Sequence, residues 1–94
     1  MDAETLKALK DYLRVSWDDD DGNISGMAYR GIAYIDSLAG QAQNYSVEGE
    51  ARSLLFDYVR YAFSHASAAF TKDFAQEILH LQLTVAADQE AHDD

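Results

Sequence analysis

Apolar residues recur along this chain at the three- and four-residue spacing of amphipathic helices, so the pattern predicts an all-α fold of four helices. The first helix is predicted over residues 3–15, where Leu6, Leu9 and Leu13 share one face. Asp2 is suited to cap its N-terminus because a carboxylate can accept hydrogen bonds from free backbone N–H groups.

A turn over residues 16–20 is expected to tuck Trp17 against the core. The second helix is predicted to begin within residues 18–23 and to end near Ala39. Its apolar face is a single stripe, formed by Ile24, Met27, Ala28, Gly31, Ile35 and Leu38. Glycine inside a helix costs about 1 kcal/mol relative to alanine, so the position of Gly31 on this stripe predicts close approach of another helix.

Gly40 is expected to adopt the left-handed conformation that closes the second helix, at the start of a loop over residues 40–49. The third helix is predicted over residues 48–66, capped by Ser46 or Glu48. It is apolar on almost all sides, which is typical of a helix that is central or shared between subunits.

A break is predicted at residues 67–70, followed by a fourth helix over residues 71–87. That helix carries two neighbouring apolar stripes. One comprises Phe74, Ile78, Leu81 and Val85, and the other Ala75, Leu79, Leu83 and Ala86.

The chain has 94 residues, which predicts one domain over residues 1–87 followed by an acidic tail over residues 88–94. No apolar run approaches the roughly 18 residues that a membrane span needs. The acidic start of the chain lacks the apolar segment of a signal peptide. There is no cysteine, which excludes disulfides, thiolate chemistry and cysteine-ligated metals.

The net charge is −10, and it is unevenly distributed. Residues 18–50 hold seven acidic residues and a single base, Arg30, while the tail holds four acidic residues and no Lys or Arg. A surface of this kind repels phosphate groups, so binding to DNA, RNA or anionic membranes is disfavoured.

Four consecutive aspartates, Asp18, Asp19, Asp20 and Asp21, precede Gly22 and suggest a calcium loop. An EF-hand with Gly22 at its sixth position would place Trp17 first and Ala28 twelfth, and neither residue can supply the required carboxylate. The run is better interpreted as the N-terminus of the second helix, although clustered acids could hold a cation weakly.

No catalytic constellation is evident. His65, His80 and His92 are far apart and belong to no metal-binding motif, and the glycine patterns of nucleotide-binding and hydrolase folds are absent. The sequence therefore predicts a non-enzyme without cofactor or metal.

The third and fourth helices carry more apolar surface than a single small core needs. Phe56, Tyr61, Phe63 and Leu83 are candidates for a subunit or partner interface, where aromatic residues are enriched. The alternative is that a compact bundle buries all four.

Several segments in order resemble the head–tail connector (adaptor) family of tailed phages and prophages. Residues 9–17, Leu-Lys-Asp-Tyr-Leu-Arg-Val-Ser-Trp, followed by an acidic run, resemble the family's start. Residues 33–40 resemble the end of its second helix, and residues 54–62 its third. Residues 70–74 and 77–83 resemble its last, so the similarity spans residues 6–87.

The resemblance implies a small all-helical head-completion protein that joins head to tail. It implies a twelve-fold ring of copies beneath the portal protein, a docking surface for the next neck or tail-completion protein, and DNA passing through without specific binding. The implied location is the virion neck, and the host cytoplasm during assembly. No catalytic residue and no membrane contact is implied.

In that ring, Asp18–Asp21 with Glu48 and Glu50 are the candidate acidic surface facing the DNA, with an outward-facing helix cap as the alternative. Two other functions remain open at this point. One is an acidic DNA mimic that occupies a basic cleft, and the other is a helical protein-interaction module.

Overall fold

The computed structural model describes residues 1–91, and every regular element within that range is helical. The all-α prediction is therefore confirmed. The α-helices of the described range are α1 (Ala3–Leu13), α2 (Asp21–Ala39), α3 (Glu50–Phe63), α4 (Phe70–Asp73) and α5 (Ala75–Ala91), with a 3₁₀ turn at Ser67–Ala69.

The predicted fourth helix is divided in two. Phe74 leaves the helical conformation, with φ −110° and ψ 24°, and its ring stacks on Phe70 with centroids 5.0 Å apart. The long α5 then continues to Ala91, beyond the predicted end at Ala87. Residues 92–94 of the predicted acidic tail lie outside the described range.

Two helices end on a left-handed residue that is not glycine. Arg14, with φ 62°, follows α1, and His65, with φ 59°, follows α3. At the end of α3 the His65 N–H donates to Ala62 O and the Ala66 N–H donates to Tyr61 O, which is the Schellman arrangement. Gly40, with φ 86°, closes α2 as predicted.

Caps at the helix starts agree with the sequence only for α1. Asp2 Oδ1 accepts a hydrogen bond from the Thr5 N–H at 2.7 Å, as expected. The N-cap of α3 is Gly49 and carries no side-chain cap, so the prediction of Ser46 or Glu48 was wrong. Trp17 was also misplaced, since its side chain is 47% exposed and the neighbouring Val15 is buried instead.

The core lies between α2 and α3, which pack along their lengths, with α1 and α5 against them. The predicted α2 stripe is confirmed, because all of its members except the half-buried Leu38 are buried. Only Leu54, Leu55 and Val59 of α3 are buried, so this helix is not sheltered all round.

Phe70 is fully buried, although the pattern predicted a break at that position. The ring of Tyr58 meets it edge-on at 5.3 Å and that of Tyr61 at 6.0 Å. A single aromatic residue thus joins the end of α3 to the start of α4.

Polar side chains fix α5 along the end of α2. Gln82 Nε2 donates to Leu38 O at 3.0 Å, and Gln89 Nε2 donates to Gln41 Oε1 at 2.9 Å. The resulting molecule is a flattened, elongated body of 49 × 27 × 17 Å with a radius of gyration of 13.8 Å.

Candidate functional site

Helix α5 carries apolar residues on two of its sides, but only one of these sides is buried. Ile78, Leu81 and Val85 are buried. The second predicted stripe, here named the α5 stripe (Ala75, Leu79, Leu83 and Ala86), is exposed throughout. Leu79 is 54% exposed and Leu83 is 61% exposed, so two leucines one helical turn apart face solvent.

Phe56 is half-buried rather than free. The ring of Tyr12 lies 5.8 Å from it, and the Arg52 guanidinium lies over its face, 5.0 Å from the centroid. These side chains line a shallow groove of about 550 Å³ between α1 and α3, which Asp11 and Glu48 also border.

Tyr61 and Phe63 also pack against the core of their own subunit. The Tyr61 hydroxyl donates to Asp73 Oδ2 at 2.7 Å, and this hydrogen bond raises the pKa of Tyr61. Of the four candidate interface residues, only Leu83 is strongly exposed, and the structure does not gather them into one patch. Leu79, which completes the exposed pair with Leu83, was placed on the same stripe by its four-residue spacing but was not among the predicted interface residues.

Two of the four consecutive aspartates are held by one lysine. Asp18 Oδ1 and Asp21 Oδ1 each lie 2.7 Å from Lys10 Nζ, whose side chain is only 12% exposed. The Asp18 contact has hydrogen-bond geometry, whereas Asp21 is an ion-pair contact outside that geometry. The bond to Lys10 lowers the pKa of Asp18 and raises that of Lys10.

The remaining acids have local partners or face solvent. Asp20 accepts a hydrogen bond from the Trp17 indole at 2.7 Å, and Asp19 is exposed. Asp20 is the N-cap of α2 but makes no side-chain cap bond. The aspartate run therefore connects α1 to α2 through Lys10. The side-chain capping of α2 that the sequence suggested is not present.

Glu48 and Glu50 lie at the other acidic position. Glu48 Oε1 is 3.8 Å from Arg52 Nε, and Glu50 Oε2 is 2.7 Å from His80 Nδ1 on α5. Two residues after His80, Gln82 bonds to Leu38 near the end of α2. Since α2 begins at Asp21 and its 19 residues rise about 28 Å, the two acidic groups lie at opposite ends of this helix.

His65 and His80 are placed by the structure, and His92 lies outside the described residues. His65 occupies the left-handed position after α3, and His80 pairs with Glu50. Within residues 1–91, no three His, Asp or Glu side chains are close enough together to hold a metal ion. Over the same range, no helix is both long and apolar enough to span a bilayer.

No family model, curated protein or solved structure matches this chain. Its surfaces must therefore be interpreted from their own chemistry. They comprise one exposed apolar stripe and two separated acidic groups, and the acids in both groups are partly neutralised by bases of the same chain.

Proposed function

We propose that the protein is a head-completion subunit of a tailed phage or prophage, forming a ring beneath the portal that joins head to tail. The observation that carries the proposal is the α5 stripe, because two adjacent leucines exposed to water indicate a surface that another protein covers. The resemblance over residues 6–87 supplies the identity of the assembly. The role is structural and requires no catalytic residue or cofactor.

The ionic contacts favour a passive relation to DNA. Four of the seven Lys and Arg residues are paired: Lys10 is held between two aspartates, and Arg52, Arg60 and Lys7 each lie within 4 Å of a carboxylate of the same chain. Bases that are already paired offer little to a phosphate backbone, and affinity for duplex DNA depends on such neutralisation. A subunit of this kind can stand beside the genome without binding it.

The DNA-mimic alternative has weaker support. A mimic should present its carboxylates along one continuous face, as a duplex presents phosphates. Here Asp18–Asp21 and Glu48 with Glu50 are separated by the length of α2, and α3, which begins at Glu50, carries both signs of charge.

Deletion of the gene from the phage that encodes it tests the proposal. Electron microscopy should then show DNA-filled heads and free tails that fail to join, and the wild-type gene supplied in trans should restore complete particles. Purified portal protein mixed with this protein should likewise gain a ring of additional density beneath it.

Variants of α5 test whether its exposed stripe is needed for this role. Leu79→Asp with Leu83→Asp should fail to restore particles while retaining the helical circular dichroism of the wild type. Thr84→Asp, on the exposed polar side of α5, is the matched control and should restore them. Normal particles from the deletion strain would overturn the proposal.

A further inference from the structure

We infer that neighbouring copies of this chain meet head-to-tail, with the α5 stripe of one copy seated on the outer face of α2 of the next. The inference rests on the proposed ring and assigns its contact surfaces. The α2 outer face is defined by Gly22, Gly26, Tyr29, Arg30 and Ala33, which lie on the side of α2 opposite its buried stripe.

The α2 outer face is a shallow channel of small residues. A Cβ built on Gly22 would meet nothing within 4 Å, and one on Gly26 would meet only the Arg30 guanidinium, at 3.6 Å. Each of these glycines lowers helix stability by up to about 1 kcal/mol relative to alanine, and no packing within the described chain compensates for it. Tyr29, which is 55% exposed, forms one side of the channel, and Arg30 forms the other.

The α5 stripe is the complementary ridge. Leu79, Leu83, Ala86 and Glu90 follow one another at spacings of four, three and four residues, so they share a face. Gly22, Gly26, Tyr29 and Ala33 repeat the same spacings on α2. Leucine side chains that project from one helix can therefore enter the space that two glycines leave on the other.

Charge favours the same pairing. Arg30 is the single base of α2 and forms no ion pair within residues 1–91, whereas α5 contains no Lys or Arg and carries Glu90 one turn beyond the α5 stripe. With Leu83 over Gly26 in a parallel crossing, Arg30 lies about 6 Å and Glu90 about 10 Å further along their helices. The guanidinium spans that difference.

Only a second copy can supply this contact. Within one subunit α5 packs against the inner side of α2 through Ile78, Leu81 and Val85, so its exposed stripe cannot also reach the outer side. Two different surfaces that join copy to copy make a heterologous contact, which propagates and closes into a ring when the rotation permits.

Disulfide trapping tests the contact cleanly, because the chain contains no cysteine of its own. Gly26→Cys and Leu83→Cys are made as separate variants, mixed at the highest soluble concentration and oxidised. The mixture should yield a cross-linked heterodimer about tenfold in excess of that from Gly26→Cys mixed with Thr84→Cys, since disulfides form only at short Cβ separations. The double variant Gly26→Cys with Leu83→Cys should give a ladder of oligomers.

Charge exchange provides a second measurement. Arg30→Glu alone and Glu90→Arg alone should each weaken association in sedimentation velocity, and combining them should restore it. A Gly26–Leu83 yield no higher than the Thr84 control, or no rescue by the exchange, would overturn the inference. A positive cross-link together with normal particles from the gene-deletion strain would retain the contact and refute the phage role.

Discussion

Gly31 of α2 faces Tyr58 of α3 so closely that a Cβ added to the glycine would lie 2.7 Å from Tyr58 Cδ1. The same Cβ would lie 2.9 Å from Cδ1 of Leu55, which is fully buried. Leu55 is fully buried and cannot withdraw without disturbing the core, so the glycine sets the distance between the two central helices.

Enlarging residue 31 should therefore separate α2 from α3. Gly31→Leu is expected to lower the free energy of unfolding by about 1–3 kcal/mol through overpacking, measured by thermal or urea melts. Gly26→Ala in the same helix is the matched control and should raise stability by up to about 1 kcal/mol, because that position has free space and alanine is the better helix former. An unchanged melt for Gly31→Leu would contradict the packing described.

Replacing His65 with glycine should stabilise the protein. His65 holds a left-handed conformation, which costs a residue with a Cβ about 1 kcal/mol or more and costs glycine almost nothing. We expect His65→Gly to gain about 0.5–1 kcal/mol after the greater flexibility of the unfolded chain is included. Ser64→Gly, one residue earlier with φ −96°, should instead lower stability in the same urea titration.

Tyr45 should make stability sensitive to alkali. Its hydroxyl donates to Asp36 Oδ1 at 2.7 Å, and burial together with that carboxylate raises the pKa of Tyr45 well above its ordinary value. Because the folded protein keeps the proton more firmly than the unfolded chain does, the stabilisation is complete below about pH 10 and declines as the pH rises further.

The matching variant is Tyr45→Phe, which at pH 7 should lose about 1.5–3 kcal/mol, the contribution of a hydrogen bond to a charged group. Above about pH 10 the difference between this variant and the wild type should shrink. Tyr58→Phe is the control, since the Tyr58 hydroxyl forms no hydrogen bond with the described residues. A difference that stays constant into the alkaline range would mean that Tyr45 is not the responsible group.

Self-association should increase with salt. Copies that each carry a net charge of −10 repel one another. The electrostatic screening length shortens to about 3 Å at 1 M salt, which weakens this repulsion but leaves apolar contact through the α5 stripe intact. Light scattering across a sodium chloride series should therefore show larger species at high salt. Larger species confined to low salt would contradict this expectation.

The protein should show no affinity for duplex DNA. The measurement is the fluorescence anisotropy of a labelled duplex at low salt, where electrostatic attraction is strongest. A basic DNA-binding domain serves as the positive control. An increase in anisotropy that falls steeply with added salt would reveal a basic surface and refute passive passage of the genome.

Local periodicity predicted much of this fold. The stripe of α2, the capping role of Asp2 and the left-handed Gly40 all follow from short-range chemistry. The role of Phe70 could not be predicted in this way, because its burial depends on Tyr58 and Tyr61 arriving from a different helix. The left-handed His65 carries no sequence signal either, since it occupies a position after α3 that glycine would ordinarily take.

The candidate surfaces likewise include features that local spacing predicts and features that depend on tertiary contacts. Exposure of Leu83 agrees with a helix that has more apolar positions than one core can cover, whereas Phe56 and Tyr61 are half-covered by contacts that no spacing rule specifies. The sequence places Asp18–Asp21, Glu48 and Glu50 on one candidate surface. Only the antiparallel course of the chain places them at opposite ends of α2.

The flattened shape affects how much surface the protein exposes for its mass. A typical domain of this length has a radius of gyration of about 12 Å, against 13.8 Å here, and its thinnest dimension of 17 Å is less than two helix diameters. A plate exposes more of its surface than a sphere of equal mass, and in the proposed ring its edges would be covered by neighbouring copies. Laid side by side around an axis, such plates enclose a wide opening with very little protein.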